Sequence, residues 1–398
     1  MALSSNDGCV VARSNEAKAL GIPMGAPAFK WRAFFRQHGV VAFSGNFELY
    51  GDMSRRITSI LTSITPHIEI YSVDESFLDL SELQITDYTA WAKTVRAKVL
   101  QWTGLPVSIG IAPSKTLAKL AAERGKKQPE LGGVLDLYSL NQTGRLEYLQ
   151  KVAVQDVWGI GWRLTPRLKA ENIKTAADVS KLRPQLAQSW MGIRGRQLVA
   201  ELGGESCFSL QKLSKPAKSI ANTRTFGEDT NQLHVLESAL SSFVARTAHS
   251  LRASRQLTKK AGFFIATNRH KPGYKMTSQE ITLPHPTADT GYITELLLQK
   301  MAAAFNPRAE YHRAGVWLKD FIPEHALQTD LLGSLDPKSY DRGARRMHAL
   351  DSINKRYGKH SAFYASENLG NSWQPKRNIQ TPRYTTQWQE LPKVTPIE

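Results

Sequence analysis

Two adjacent carboxylates, Asp74 and Glu75, stand inside the apolar run Ile68-Glu69-Ile70-Tyr71-Ser72-Val73-Asp74-Glu75-Ser76-Phe77-Leu78-Asp79-Leu80. The run is rich in strand formers and reads as two short strands meeting at a bend. Along a straight strand, neighbouring side chains point to opposite faces, so this pair converges on one point only where the backbone turns. A carboxylate pair at a hairpin bend suits a hard, oxygen-seeking cation such as Mg2+, which takes one or two carboxylates together with substrate phosphates. Taken alone, the same residues are equally an exposed hairpin tip carrying two solvated acids.

Cations with phosphate chemistry lie on either side. In Val107-Ser108-Ile109-Gly110-Ile111-Ala112-Pro113-Ser114-Lys115-Thr116-Leu117-Ala118-Lys119-Leu120-Ala121, a buried strand runs into a helix opened by Lys115. Lys115 and Lys119 are four apart and share a face, while Leu117, Leu120 and Ala121 turn toward a core. Free N–H groups and the helix dipole at such an opening favour phosphate, although no Walker glycine pattern is present. Lys18 lies in a strand-to-helix segment, Val10 to Gly21, closed by glycine. By itself Lys18 reads as a solvated lysine on a surface helix.

These groups need several domains to position them, since 398 residues exceed one compact core. Two cysteines, Cys9 and Cys207, exclude a disulfide framework and a cysteine zinc site of normal ligand count. No apolar run approaches membrane-spanning length and no signal peptide is visible, so a reducing cytoplasm fits. Net charge is +17, which points to a polyanion. Residues 146–322 hold 25 Lys+Arg against 14 Asp+Glu, whereas the stretches before and after are each only +3. No long basic amphipathic helix is read from the sequence, which sets nucleic acid above a membrane surface as the partner.

Organisation follows from punctuation and periodicity. Residues 9–43 are short and broken by Gly21, Pro23, Gly25 and Pro27. Apolar spacing from Phe47 to Ile64 gives a helix stopped by Pro66, and another helix spans Ala90 to Thr103. Residues 146–214 read as all-helical. Within them Val157-Trp158-Gly159-Ile160-Gly161 resembles a helix-hairpin-helix turn, whose glycines expose backbone N–H groups to a DNA phosphate. The small turn Met191 to Arg196 adds Arg194 and Arg196. Lys215 to Lys218 is a linker. Residues 219–322 mix strands and helices, and 323–398 form a polar, proline-punctuated tail.

The acidic hairpin and the lysine-bearing strand–helix unit together resemble the Y-family, or translesion, DNA polymerases, nearest to the UmuC-type branch of the bacterial SOS response. The resemblance runs through nearly the whole chain. It implies a multidomain α+β, right-hand-like polymerase. Its parts would be palm edge and fingers (1–43), palm (44–145), helical thumb (146–214), little finger (219–322) with a basic sheet face along the duplex, and a polar C-terminal tail (323–398). It further implies two Mg2+ ions on the catalytic residues Asp74 and Glu75, with Lys18 and Lys115 binding nucleotide. Gly159, Ile160, Gly161, Arg194 and Arg196 would then bind DNA. Gln328, Asp330, Leu331 and Leu332 resemble a peptide that docks on the sliding clamp, and Thr381 to Trp388 resembles the terminal signature of the UmuC-type branch. Implied substrates are primed, damaged DNA and deoxynucleoside triphosphates. Implied partners are the clamp, a UmuD-like dimer and the RecA filament, with no membrane.

One departure qualifies the resemblance. The family's first strand carries a further metal-binding Asp and an aromatic steric gate, upstream of the segment that begins here at Leu3. Asp7 lies in a polar Ser-Ser-Asn-Asp-Gly turn and is not assigned as a ligand. The chain as read holds two of three metal carboxylates, which implies a start placed too late, a truncation, or loss of polymerisation. A DNA-binding, clamp-tethered protein without catalysis is therefore the alternative function. A nuclease using the same acids is a third reading, weakened because no further acid or His cluster accompanies the pair.

Overall fold

The computed structural model describes residues 1–211, 216–326, 336–368 and 372–394. The chain divides into two compact units, Met1–Asn46 with Lys215–Pro382, and Phe47–Ser214 with Arg383–Glu398.

In the first unit, β1 (Ala2–Leu3) lies antiparallel to β2 (Val10–Ala12) and parallel to β3 (Phe43–Ser44), in the order β2-β1-β3. Helices α1 (Asn15–Ala19) and α2 (Ala28–Gln37) lie between β2 and β3 in the chain. Ser14 caps α1 by accepting the N–H of Ala17, and Gly21 ends the turn at φ +75°. Leu3, Val10, Ile22 and Phe35 form the small core.

The second unit begins with α3 (Phe47–Thr62), followed by the hairpin β4 (Ile68–Ile70) and β5 (Ser76–Leu78). Helix α4 (Tyr88–Thr103) is capped by Asp87 and closed by left-handed Gly104. Strand β6 (Ile109–Ile111) runs into α5 (Lys115–Lys127) and pairs in parallel with β7 (Val134–Asp136). Gly110 lets α5 lie directly on β6, because a Cβ there would meet the Ala118 carbonyl at 2.1 Å. Then come α6 (Gln142–Gln150), α7 (Leu164–Ala170), α8 (Ala176–Ser180), α9 (Pro184–Met191) and α10 (Ile193–Gly203). Leu117, Leu120 and Ala121 of α5 share one buried core with Leu149, Leu168 and Leu198 of these helices. The lysine-bearing helix is thus fixed by its apolar side, as its spacing requires.

The first unit resumes with β8 (Ser219–Thr230), α11 (Leu233–Ala253), β9 (Gln256–Thr267), β10 (Met276–Thr287), α12 (Thr290–Ala304) and β11 (Tyr311–Pro323). The strands form an antiparallel sheet in the order β10-β9-β11-β8. Phe263, Ile265, Val316 and Leu318 pack against Leu236, Phe243 and Leu297 of the helices. The opposite sheet face carries Phe264 and Trp317, each lying against a cross-strand glycine, Gly315 and Gly262. Lys260, Arg313 and Lys319 share that face by alternation, and Glu280 pairs with Lys319.

The polar tail is more structured than its composition suggests. Helix α13 (Pro337–Tyr357), capped by Asp336, carries six Lys+Arg and two Asp, so it is a long basic amphipathic helix, which the sequence reading lacked. Its inner side docks where α11 ends and α12 begins. Arg252 grips the Asp351 carboxylate at 2.7 and 2.9 Å, His249 reaches it at 3.0 Å, and Arg346 pairs with Asp289 at 2.7 Å. Farther along, Trp373 is buried edge-on against Phe243, 5.2 Å between centroids. The chain then runs beside β3. Asn6 accepts the Lys376 N–H, Asp7 accepts the Asn378 N–H and the Ser44 hydroxyl, and Asn46 donates to the carbonyls of Thr381 and Pro382. Asp7 therefore holds backbone.

Burial alone would raise the Asp351 carboxyl, but Arg252 and His249 hold it below the usual carboxylate range. A depressed carboxylate stabilises above its unfolded pKa of about 3.9 and loses that contribution as pH falls through its folded value. The amides of α13 should keep their exchange protection from neutrality down to about pH 4 and lose it first below that. Protection that persists until the whole unit unfolds in acid would refute this.

Candidate active site

The bend between β4 and β5 is closed by the N–H groups of Tyr71 and Ser72, which both donate to the Glu75 carbonyl at 3.0 Å. Asp74 and Glu75 therefore sit in a hairpin turn, exposed to solvent. The Ser72 hydroxyl donates to the Asp74 carboxylate and accepts the Asp74 N–H at 3.2 Å. The Glu75 carboxylate accepts from Lys119 Nζ at 2.9 Å. Lys119 Nζ also lies over the rings of Tyr71 and Trp158, 4.8 and 5.1 Å from their centroids. Such a cation is held by attraction to the ring faces even when Glu75 is engaged elsewhere.

Lys115 faces the same hairpin one turn earlier. Its Nζ donates to the Glu69 carboxylate and, at 2.9 Å, to the Ser209 carbonyl, and it lies 5.0 Å from the Phe77 centroid. Glu69 also accepts the Gln211 N–H at 2.7 Å. Burial would raise the Glu69 carboxyl, but Lys115 and the Gln211 N–H outweigh it and hold the group below its ordinary range. Beside this pair lies a cavity of about 480 Å³ lined by Tyr71, Trp158, Met191, Arg194 and Phe208 among others. Cys207 also lines it, with its thiol pushed up by burial and by Glu205 and Glu201, so it is protonated at neutral pH and no candidate nucleophile.

One expectation is corrected. Two of the first three N–H groups of α5 are not open to a phosphate, because the Thr116 N–H donates to the buried Glu201 carboxylate at 2.9 Å and the Leu117 N–H to the Ser114 hydroxyl at 3.4 Å. An internal carboxylate occupies the positive end of the helix.

The remaining candidates fall in different places. Gly159 has φ +94° and Ile160 is buried, so the turn before α7 is tight and anchored by its middle residue. Arg194 and Arg196 lie in the first turns of α10, which begins directly after Gly192. The guanidinium of Arg194 is 5.3 Å from the Phe208 ring centroid. Lys18 lies on α1 of the other compact unit, exposed, with Nζ 3.3 Å from Asn15 Oδ1. Gln328, Asp330, Leu331 and Leu332 lie outside the described residues.

Asp74 and Glu75 are accessible hard-oxygen donors, the kind Mg2+ accepts in ones and twos beside water and phosphate oxygens, so the pair fits such an ion. Among the described residues, no group of three or more His, Cys, Asp or Glu is placed to hold a metal. Sequence reasoning missed Lys119 as the cation on Glu75, although its four-residue spacing from Lys115 was the available signal. Glu69 and Glu201 had no signal, since their partners lie 46 and 85 residues away. Among the described residues, no helix is long and apolar enough to cross a membrane.

The model of the impB/mucB/samB family matches residues 1–123, the model of its C-terminal domain matches 217–331, and a domain of unknown function matches 344–394. The chain is 37% identical to Protein UmuC of Salmonella typhimurium over 98% of its own length and 93% of that protein. It is 27% identical to DNA polymerase IV 1 of Halalkalibacterium halodurans over 88% of the chain and 82% of that protein. A solved Y-family DNA polymerase chimera of Dbh and Dpo4 shares the fold, with a TM-score of 0.61 at 22% identity over 79% of this chain and 88% of the other.

Proposed function

This chain belongs to the impB/mucB/samB family, the UmuC-type branch of the Y-family DNA polymerases, and we propose that the β4–β5 hairpin is its nucleotidyl-transfer centre. It is a DNA-directed DNA polymerase of translesion synthesis in SOS mutagenesis, with the divalent-metal dependence of its family. The observation that carries the site assignment is the meeting of Asp74, Glu75 and Lys119 at one bend.

Asp74 and Glu75 would hold the metal, which we take as two Mg2+ ions. Bound there, the ions supply Lewis acidity for the primer 3′-hydroxyl and charge neutralisation for departing pyrophosphate. Lys119 holds one oxygen of Glu75, Oε2, and so competes with a metal for that oxygen. An arriving triphosphate gives Lys119 a replacement anion, so substrate binding and release of Glu75 occur together. Lys115 stands behind Lys119 and, with Lys18 by resemblance, adds positive charge for the same triphosphate. The turn at Gly159, Ile160 and Gly161, with Arg194 and Arg196, would grip DNA phosphates without reading sequence.

The division into fingers, palm, thumb, little finger and tail, at the boundaries given above, is part of this proposal. So is docking on a sliding clamp through Gln328, Asp330, Leu331 and Leu332, and work in the cytoplasm beside a UmuD-like dimer and the RecA filament.

The test is primer extension by the purified chain on undamaged and abasic templates, with Mg2+, all four deoxynucleotides, clamp and RecA filament. Metal-dependent extension through the abasic site is expected. Lys119→Ala should raise the KM for deoxynucleotide about 10- to 100-fold, the worth of one charge-assisted hydrogen bond, with DNA affinity unchanged. Intact DNA binding with no extension under any condition would return the non-catalytic, clamp-tethered reading.

A further inference from the structure

We propose that the outward face of α13, whose part from residue 344 onward falls in the match to a domain of unknown function, is a binding surface for the sugar–phosphate backbone of nucleic acid. Lys338, Arg342, Arg345, Ala349, Ser352 and Arg356 follow one another at spacings of three and four, so they form one line along the helix. Every residue of that line is exposed. Its four cations, Lys338, Arg342, Arg345 and Arg356, form no ion pair among the described residues. A charged helix face is most often only solvated, but two observations set this one apart.

The first is that the helix cannot roll. Gly343 and Met347 on the opposite line are buried, and the Met347 sulfur accepts the Thr290 N–H at 3.3 Å. A Cβ on Gly343 would come within 2.7 Å of the Asp289 carboxylate. Asp351 is held by Arg252 and His249, and Asn354 exchanges hydrogen bonds with the Ala362 backbone at 2.8 and 3.0 Å. The cationic line is thereby presented in a fixed orientation, which spares the ordering cost that a mobile basic tail incurs on binding.

The second is the chemistry of the line. It contains no acid: Asp351 is turned to the docked side, and Asp341 borders the line, its carbonyl accepting from Arg345 Nε at 3.4 Å while its carboxylate forms no ion pair among the described residues. Its apolar side is consumed by docking, which removes the surface an interfacial helix would insert into lipid. From Lys338 to Arg356 the helix covers about 27 Å, the rise of roughly eight nucleotides of one strand. Arginine heads spaced along such a length suit phosphates met in series rather than a single anion. At the far end, the guanidinium of Arg356 lies 5.3 Å from the ring centroid of Tyr357, an exposed aromatic of the kind on which bases stack. The line lies on the helix-covered side of the sheet, apart from the open face bearing Phe264 and Trp317, so it would hold a different stretch of strand.

The test uses the full chain with Arg342→Gln, Arg345→Gln and Arg356→Gln combined, binding a fluorescent single-stranded oligonucleotide and a primed duplex across a salt series. The slope of log affinity against log salt should become shallower by about 2 to 3, one lost phosphate contact per arginine. Thermal melting and extension at saturating DNA should stay as in the parent. Lysine at the same three positions should restore the slope. A control with Lys93→Gln and Lys126→Gln should leave it unchanged. An unchanged slope in the triple variant, or an equal change in the control, overturns the proposal, and an unchanged slope would turn attention to an acidic protein partner instead.

Discussion

Asp74→Ala abolishes primer extension while DNA binding and thermal stability remain those of the parent. The side chain is exposed at the hairpin bend, and its one described partner, the Ser72 hydroxyl, lies in the same turn. Removing it therefore leaves no buried group unpaired, and the effect on folding should stay within about 0.5 kcal/mol. The effect on chemistry is of another size. The charge stabilisation that a metal site lends to phosphoryl transfer amounts to several kcal/mol, so loss of one of two carboxylates should cost about 10³-fold in rate. Single-turnover extension at saturating primer–template separates the two quantities. Retention of rate within a few-fold would remove Asp74 from the catalytic centre. Glu75→Ala should behave differently, because it also frees Lys119: extension falls, yet the affinity for deoxynucleotide rises.

The largest loss of stability should come from Glu201→Ala. This fully buried carboxylate accepts the N–H groups of Thr116, Cys207 and Phe208 at 2.9, 2.7 and 3.0 Å, and its own carbonyl accepts the Ser114 hydroxyl. Alanine leaves three backbone donors without that acceptor and empties the space of one methylene and a carboxylate. An orphaned buried donor costs about 1–3 kcal/mol, and water can reach part of this site, so a total of about 3–5 kcal/mol is expected. For a unit of this size that lowers the melting temperature by about 10 °C. Calorimetry on the full chain reads this directly. Glu201→Gln keeps one carbonyl acceptor and should lose roughly half as much. A shift below about 2 °C for the alanine variant would mean that water replaces the carboxylate almost without cost.

Both predictions bear on how far the residues could be read without coordinates. The acidic hairpin was legible because strand formers, a turn and two acids are local. The position of Lys115 at a helix start and its shared face with Lys119 followed from spacing alone. What the cations touch was not legible. Glu69 reaches Lys115 from a separate strand, and Glu201 fills the helix end that the sequence suggested for phosphate. Both pairings depend on how α5 packs against distant helices. Asp7 looked like a loose turn residue and is a backbone anchor, because its partners at Asn378 and Ser44 come from elsewhere in the chain. The tail misled through composition. Prolines and polar residues hid α13 and Trp373, whose apolar partners lie in the α11–α12 layer.

The first compact unit is discontinuous, and that has a consequence for synthesis on the ribosome. Residues 1–46 emerge early, but Asn6, Asp7, Ser44 and Asn46 find part of their hydrogen-bond partners at residues 376–382. Residues 47–214, which complete their own core, can fold while translation continues. These contacts of the opening segment must wait until more than three hundred further residues have been made. A nascent chain halted shortly before Trp373 would thus carry the core of residues 47–214 but neither unit entire, since each still lacks its C-terminal piece. Residues 373–382 thus set when the first unit can close.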